Sequence, residues 1–395
     1  MLRRLLLPVV LLLVALAGGM WLGGHPDRLP KGLRNAFVQK DTRVVGEALG
    51  VLDRRYYRKI PQSQVDDAAL RAAVQSLGDQ YSAYLSPKDL VSFNEVTDAK
   101  FEGIGVGVQP VKQGLKISRV YDNSPAKSSG LKIGDVITTA AGKSLAGLGA
   151  TAASALIKGK EGTSVTLSIL RDGKTTQKSV KRAQVSVPVV ESHYDKAAKV
   201  GVVRLGSFST GAAAEVAAGI RQMQKDGATG IVLDLRGNPG GLVDEAQKLA
   251  SLFLKGGTIV STRGRAVKTD VRKAGDHPEF PTLPLDVLVD HNSASAAEIV
   301  TGALQDRKRA KVLGTRTYGK GVFQEVIQLS SGGALDITVG QYYTPNGHNL
   351  GGAGVTQGRD VSRGAGIKPD IAAVDDPKTP KVDEAEQAAI RAVER

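Results

Sequence analysis

Beyond Val200 the chain alternates between short β-branched apolar runs and longer stretches whose apolar residues recur at helical spacing. Residues 200–205, 231–235, 287–289 and 311–313 are short and apolar enough for buried strands, and 212–224, 243–254 and 296–305 carry the helical pattern between them. A strand buried on both faces needs helices packed over it, and a parallel neighbour needs a long crossover connection. The alternation meets both conditions and predicts an α/β domain with a largely parallel sheet. A hairpin over 323–329 and 334–343, turning at Ser331-Gly332-Gly333, is expected near its end.

Upstream the period changes twice. Val44, Val45, Ala48, Leu49 and Leu52, then Ala69, Leu70, Ala73, Val74 and Leu77, fall at helical spacing, with Pro61 and Pro87 as punctuation. These predict a helical N-terminal domain over 43–98, behind a linker at 25–42. At Phe101 short β-like runs take over, divided by Asp122-Asn123-Ser124-Pro125 and Arg171-Asp172-Gly173-Lys174, so 99–183 reads as a β-rich domain. The α/β core then runs over 184–375 and a charged helix or tail over 376–395. With 41% hydrophobic and 23% charged residues in 395, disordered and multi-spanning classes are excluded.

Arg3 and Arg4 precede an uncharged run over 5–22. A positive start before an apolar stretch is the pattern of a secretory signal, and Ala15-Leu16-Ala17 has the form of a cleavage site. Uncleaved, the same run is long enough to span a bilayer with Trp21 at its interface. Both versions predict an extracytoplasmic protein of the cell envelope, periplasm or exterior, secreted or membrane-anchored.

Basic residues exceed acidic ones by 14, and residues 101–183 alone hold 13 basic and 5 acidic side chains. Such a surface is either merely solvated or attracts an anionic group. With 4% aromatics and no nucleic-acid motif, no nucleic-acid partner is expected. There are no cysteines, which removes thiol nucleophiles and Cys-ligated zinc. The five histidines show no metal spacing, and neither a metal nor a cofactor is implied. Residues 314–321 match the first part of a phosphate-binding loop, but Gly321 stands where a Ser or Thr must hold magnesium.

Ser295 follows the strand at 286–290 and opens a helix, so its hydroxyl lies beside unpaired amides, that of Ala296 in particular. On local grounds alone it reads first as an ordinary N-cap. Gly240-Gly241, between a strand and a helix, offers bare amides at a sheet edge, or simply a tight turn. Lys320 has Tyr318, Gly319, Gly321, Val322 and Phe323 around it and no local charge, as a desolvated lysine base requires; otherwise it is an exposed cation. His291, close to Ser293 and Ser295, leaves a His-dependent triad as an alternative.

LDLRGNPGG at 233–241, NSASAAEI at 292–299 and TYGKGVFQ at 317–324 resemble, in order and spacing, the carboxyl-terminal processing peptidases, serine peptidases with an inserted PDZ domain. FEGIGV at 101–106 resembles the PDZ carboxylate-binding loop, the segment 124–135 its continuation, and LGDQYSAYL at 77–85 a helical segment of the family, with Gln80 where the family usually has proline. The resemblance covers about 43–375 and implies a ClpP/crotonase-like α/β core. It implies a Ser295–Lys320 dyad at the family's 25-residue spacing, which Ser293 does not satisfy, with Gln324 orienting the lysine. It further implies an oxyanion hole from Ala296 and Gly240 or Gly241, and Gly103, Ile104, Gly105 and Val106 as receptors of a free, apolar C-terminus. Ala297 departs from the family's third serine, and Asp306 matches a family position of open role. Substrate, activating partner and oligomeric state stay open, a homo-oligomer included.

Overall fold

The structure is a computed structural model that describes residues 40–352 and 365–394. The apolar run at 5–22 lies outside the described residues, among which no helix is long and apolar enough to cross a membrane.

The chain divides into two compact units at Leu77/Gly78. Helices α1 (Lys40–Arg55) and α2 (Gln62–Gln75) belong to the first. Arg54 and Arg55 close α1 where cations meet the negative end of the helix dipole. The expected helical domain is thus cut short, because 78–98 belongs to the second unit. There β1 (Ala83–Leu85) is followed by α3 (Pro87–Thr97), whose start is fixed by a Ser86–Asp89 capping box and by Pro87 in its first turn. Three residues are too few to show a strand period, which is why β1 was invisible in the helical pattern.

Strand β2 (Lys100–Gly103) leads into the β-rich domain. It contains β3 (Val106–Val111), β4 (Gly114–Val120), α4 (Pro125–Ser128), β5 (Val136–Ala140), β6 (Lys143–Ser144), α5 (Ala150–Ile157), β7 (Ser164–Arg171) and β8 (Lys174–Lys181). The antiparallel order is β3-β4-β5-β7-β8, with β6 on β5, so β3 is an edge strand. Leu115, Ile117, Ile137, Leu167 and Val180 fill the core at period-2 positions. Strand β9 (Ala183–Ser186) pairs with β2, so the domain is entered and left through one two-stranded stem.

The α/β core comprises β10 (Val190–Asp195), β11 (Val200–Leu205), α6 (Ala212–Lys225), β12 (Gly230–Asp234), α7 (Val243–Ser251), β13 (Thr258–Arg263), β14 (Asp270–Lys273), β15 (Leu285–Val289), α8 (Ala296–Asp306), β16 (Lys311–Gly314), β17 (Val322–Gln328), β18 (Ala334–Tyr343), β19 (Ile371–Ala372) and α9 (Glu384–Val393). One sheet runs β10-β11-β12-β15-β16-β19, parallel from β11 onward. Every residue of β12 and β15 is buried, as strands covered on both faces require. Val203 and Leu205 of β11 join the core under α6, α7 and α8, while Val200 and Val202 pack with Ala389 and Ile390 of α9. The expected hairpin is β17–β18, in a second sheet of order β1-β18-β13-β14 with β17 also paired to β18.

Candidate active site

Strands β12 and β15 are parallel neighbours, and the loops leaving their carboxyl ends are laced together. Leu235 donates its N–H to the Leu288 carbonyl (2.8 Å), Ala294 to the Asn238 carbonyl (2.9 Å) and Gly237 to the Asp290 carboxylate (2.9 Å). The fully buried Asn238 donates its side-chain amide to the Leu205 carbonyl and accepts from the Gly240 N–H, both at 2.8 Å. A Cβ on Gly240 would stand 2.8 Å from the Ala294 carbonyl oxygen and 3.0 Å from the Ala296 nitrogen. Contact that close, with φ at 99°, admits only glycine.

Ser295 does occupy the N-cap position of α8, but its φ of 54° and ψ of −115° are not the extended backbone of an ordinary N-cap. That region belongs to glycine, and a serine held there stores strain. Its neighbour Ser293 is wholly buried and fully engaged. Its hydroxyl donates to the Leu235 carbonyl (2.8 Å) and accepts from the Asp290 N–H (2.9 Å). The two serines that sequence spacing had to separate are separated by packing.

What holds the Ser295 turn against the Lys320 loop is a residue that no sequence motif had assigned. Glu298 is fully buried; one carboxylate oxygen accepts from the Thr317 hydroxyl (2.6 Å) and the Gly319 N–H (2.7 Å), the other from the N–H groups of Ser295 and Lys320 (2.9 Å each). Burial pushes its pKa up, and these donors oppose that shift. The Ser-x-x-Glu spacing of 295–298 is the capping-box signature that could have exposed it.

Lys320 lines, with Ser295, Gln324, Gly240 and Gly241, a cleft of about 440 Å³ whose apolar wall includes Phe93 and Val326. Burial pushes the Lys320 pKa down, as its sequence context led one to expect. Its uncharged sequence neighbours do not keep the fold from bringing carboxylates within electrostatic reach. Asp336, Asp79 and Glu298 all raise its pKa, and Lys320 Nζ lies 5.1 Å from the Tyr81 ring centroid. None of the three acids is within ten residues of Lys320 in sequence, so only the fold brings their charge to it. Gln324 reaches the cleft because the β17–β18 register shifts between Phe323 and Gln324, a bulge that re-aims the side chain. Its amide nitrogen donates to the Thr338 hydroxyl (3.0 Å).

The oxyanion candidates are not equivalent. The Gly240 N–H is already bonded to Asn238, whereas those of Gly241 and Ala296 have no acceptor among the described residues. Gly241 lines the cleft, and the Ala296 nitrogen lies beside Gly240. Asp306 is elsewhere: it ends α8 about 16 Å from Ser295 at 1.5 Å per residue and accepts from the Asn346 N–H (2.9 Å). No histidine among the described residues lines the cleft.

In the β-rich domain, Gly103, Ile104, Gly105 and Val106 line a pocket of about 150 Å³ with Phe101, Ser154, Ile157 and Lys158, the last residues belonging to α5 and its end. The carbonyls of Ile104 and Gly105 are taken by Ala126 and Tyr121, but their N–H groups have no acceptor among the described residues. A Cβ on Gly105 would meet Ser124 Cβ at 2.3 Å, and its φ is 82°. This glycine is therefore required by the fold of the loop, not by the approach of a ligand.

A serine on a strained strand-to-helix turn, a half-buried lysine and two unpaired amides, beside a separate domain with an open strand edge, are the parts a serine peptidase with an inserted β-rich domain would require. The comparisons agree. The model of peptidase family S41 matches residues 199–373 and that of the PDZ domain matches 103–181. The chain is 35% identical over 319 residues to a "Probable CtpA-like serine protease" of Staphylococcus haemolyticus, covering 80% of this chain and 64% of that one. It is 36% identical to the protein of the same name in Staphylococcus aureus (strain bovine RF122 / ET3-1), covering 87% and 67%. A crystal structure described as an S41 protease from Bacteroides fragilis matches the fold at 19% identity and a TM-score of 0.50, over 88% of this chain and 95% of that one. The chain belongs to peptidase family S41. It spans about two thirds of the length of these staphylococcal relatives.

Proposed function

We propose that this protein is an exported serine endopeptidase that cleaves polypeptides near their C-termini by a Ser295–Lys320 dyad. The observation that carries the reading is that Ser295 and Lys320 line one cleft and hang, by their N–H groups, from the same buried carboxylate. Neutral Lys320 takes the Ser295 proton as Oγ attacks the scissile carbonyl. The resulting oxyanion is held by the Gly241 and Ala296 N–H groups. As the tetrahedral intermediate collapses, the Lys320 ammonium returns that proton to the departing amine, leaving an ester on Ser295. Water, deprotonated by Lys320, then releases the new C-terminal acid and restores Ser295.

The PDZ pocket supplies the selection of termini. A substrate adding as a strand to the open edge of β3 would bring its carboxylate to the free amides of Ile104 and Gly105 and its last apolar side chain to the pocket. Lys158 stands at the pocket wall with its ammonium already paired to the Glu95 carboxylate (2.5 Å). The positive N-terminal segment with its apolar run supports action outside the cytoplasm.

The test is hydrolysis of an unfolded protein with an apolar C-terminus by the wild type, Ser295→Ala and Lys320→Ala. Loss of turnover in both variants with folding preserved supports the dyad; substantial turnover in either ends it.

A further inference from the structure

Lys320 Nζ meets the rest of the protein through an aromatic face. Among the described residues it makes no hydrogen bond and no ion pair, and the centroid of the Tyr81 ring lies 5.1 Å from it. A cation within about 6 Å of such a centroid is attracted by the negative face of the ring. The backbone fixes where that ring stands. Strand β1 pairs with β18 in the register Ala83↔Asp336, Tyr84↔Leu335 and Leu85↔Ala334, so the turn before β1 is carried beside β18. Within the turn Asp79 accepts from the Tyr81 N–H (3.0 Å) and the Ser82 hydroxyl (2.5 Å), and Ser82 Oγ accepts from the Thr338 N–H (3.0 Å). Tyr81 therefore sits on a turn that is closed on itself and tied to β18.

We propose that Tyr81 is a positioning residue for the base: its ring face holds Lys320 Nζ and favours the ammonium that forms as the Ser295 proton arrives. A carboxylate bonded to Nζ would favour that ammonium too, but it would keep the resting lysine protonated and unable to act. An uncharged ring attracts the cation and has little hold on the neutral amine. The charged and titratable groups facing Lys320 are Asp336 of β18, Asp79 and Tyr81 of the turn, and Glu298 of α8, with Tyr318 beside Tyr81. None of the three acids is bonded to Nζ, and burial outweighs their charge, so the lysine pKa stays lowered.

The proposal rests on the dyad reading, and the experiment separates the two. Tyr81→Leu, Tyr81→Phe and a chain carrying a ring-fluorinated phenylalanine in place of Tyr81 are compared with the wild type and Lys320→Ala for kcat, KM, pH profile and Tm. Tyr81→Leu should lower kcat about threefold to thirtyfold, the range of a cation–ring attraction, and move the acid limb to lower pH. KM should change little, because Tyr81 is not among the residues that line the cleft. Tyr81→Phe keeps the ring face and should recover most of kcat and of the limb. Fluorination keeps the shape of the ring but draws electrons from its face, so it should carry kcat and the limb toward those of Tyr81→Leu. A ring that only filled space would leave the fluorinated chain like Tyr81→Phe. The two phenylalanine chains decide the matter if Tyr81→Leu fails to fold. Equal limbs and kcat in those two, or a limb in folded Tyr81→Leu that stays or moves to higher pH, overturn the role of Tyr81 and leave the dyad standing. Turnover in Lys320→Ala overturns the dyad and the proposal with it.

Discussion

The N–H groups of Ser295 and Lys320 donate to one and the same oxygen of Glu298, each at 2.9 Å. A nucleophile and a base 25 residues apart in sequence are thus fixed to a common point that is itself fully buried. Replacing Glu298 by Gln puts an NH₂ among groups that are all donors. Hydrogen bonds to a charged group are worth about 1.5–3 kcal/mol each. Glu298→Gln should therefore lower both Tm and kcat, read by thermal unfolding and steady-state hydrolysis; retention of both would show that the shared anchor is dispensable.

The two serines give opposite expectations. Ser295→Ala should lose turnover with an unchanged Tm. Ser293→Ala should keep turnover but lose about 1–3 kcal/mol of stability, because the Asp290 N–H is left unpaired in the interior and the Leu235 carbonyl keeps only the Asn238 N–H. Urea unfolding and peptide hydrolysis on the same samples check the pair.

Gly240→Ala is expected to be inactive. The new methyl group would meet backbone atoms of Ala294 and Ala296 at 2.8 and 3.0 Å, displacing the Ser295 turn. Its φ of 99° adds about 1–3 kcal/mol of strain. Turnover near that of the wild type would mean that the glycine loop does not set the nucleophile.

For pH the sign follows from burial. Lys320 is lowered in the folded state, so it loses its proton there at a pH at which the unfolded chain still holds it. Activity should rise with pH through the folded value. Stability should also rise with pH between the folded and unfolded values, since in that window the unfolded state binds more protons. Asp336→Asn removes the leading charge that opposes the shift, so its acid limb should lie at lower pH than that of the wild type. An unmoved limb would assign the titration to another group.

For the PDZ pocket, a Ser295→Ala chain should bind a free-acid peptide about tenfold or more tightly than its C-terminal amide, since charge-assisted bonds to Ile104 and Gly105 are lost. Gly105→Ala should unfold the loop itself, because its Cβ would overlap Ser124. Equal binding of acid and amide, measured by titration calorimetry, would reduce the domain to a spacer.

Periodicity in the sequence determined the parallel sheet, the hairpin and the β-rich domain, because burial of a strand or a helix face leaves its mark on consecutive residues. Spacing and motif resemblance singled out Ser295, Lys320, Gln324 and the glycine pair. Only the tertiary structure decided which neighbours they have. Asn238 takes the Gly240 N–H and leaves that of Gly241 free, and packing closes Ser293. Glu298 gathers four donors, and Asp79 and Asp336 surround a lysine whose own segment is uncharged. These are contacts between distant segments, and electrostatics and hydrogen bonding act over ångströms of space, of which the order of residues along a chain keeps no record.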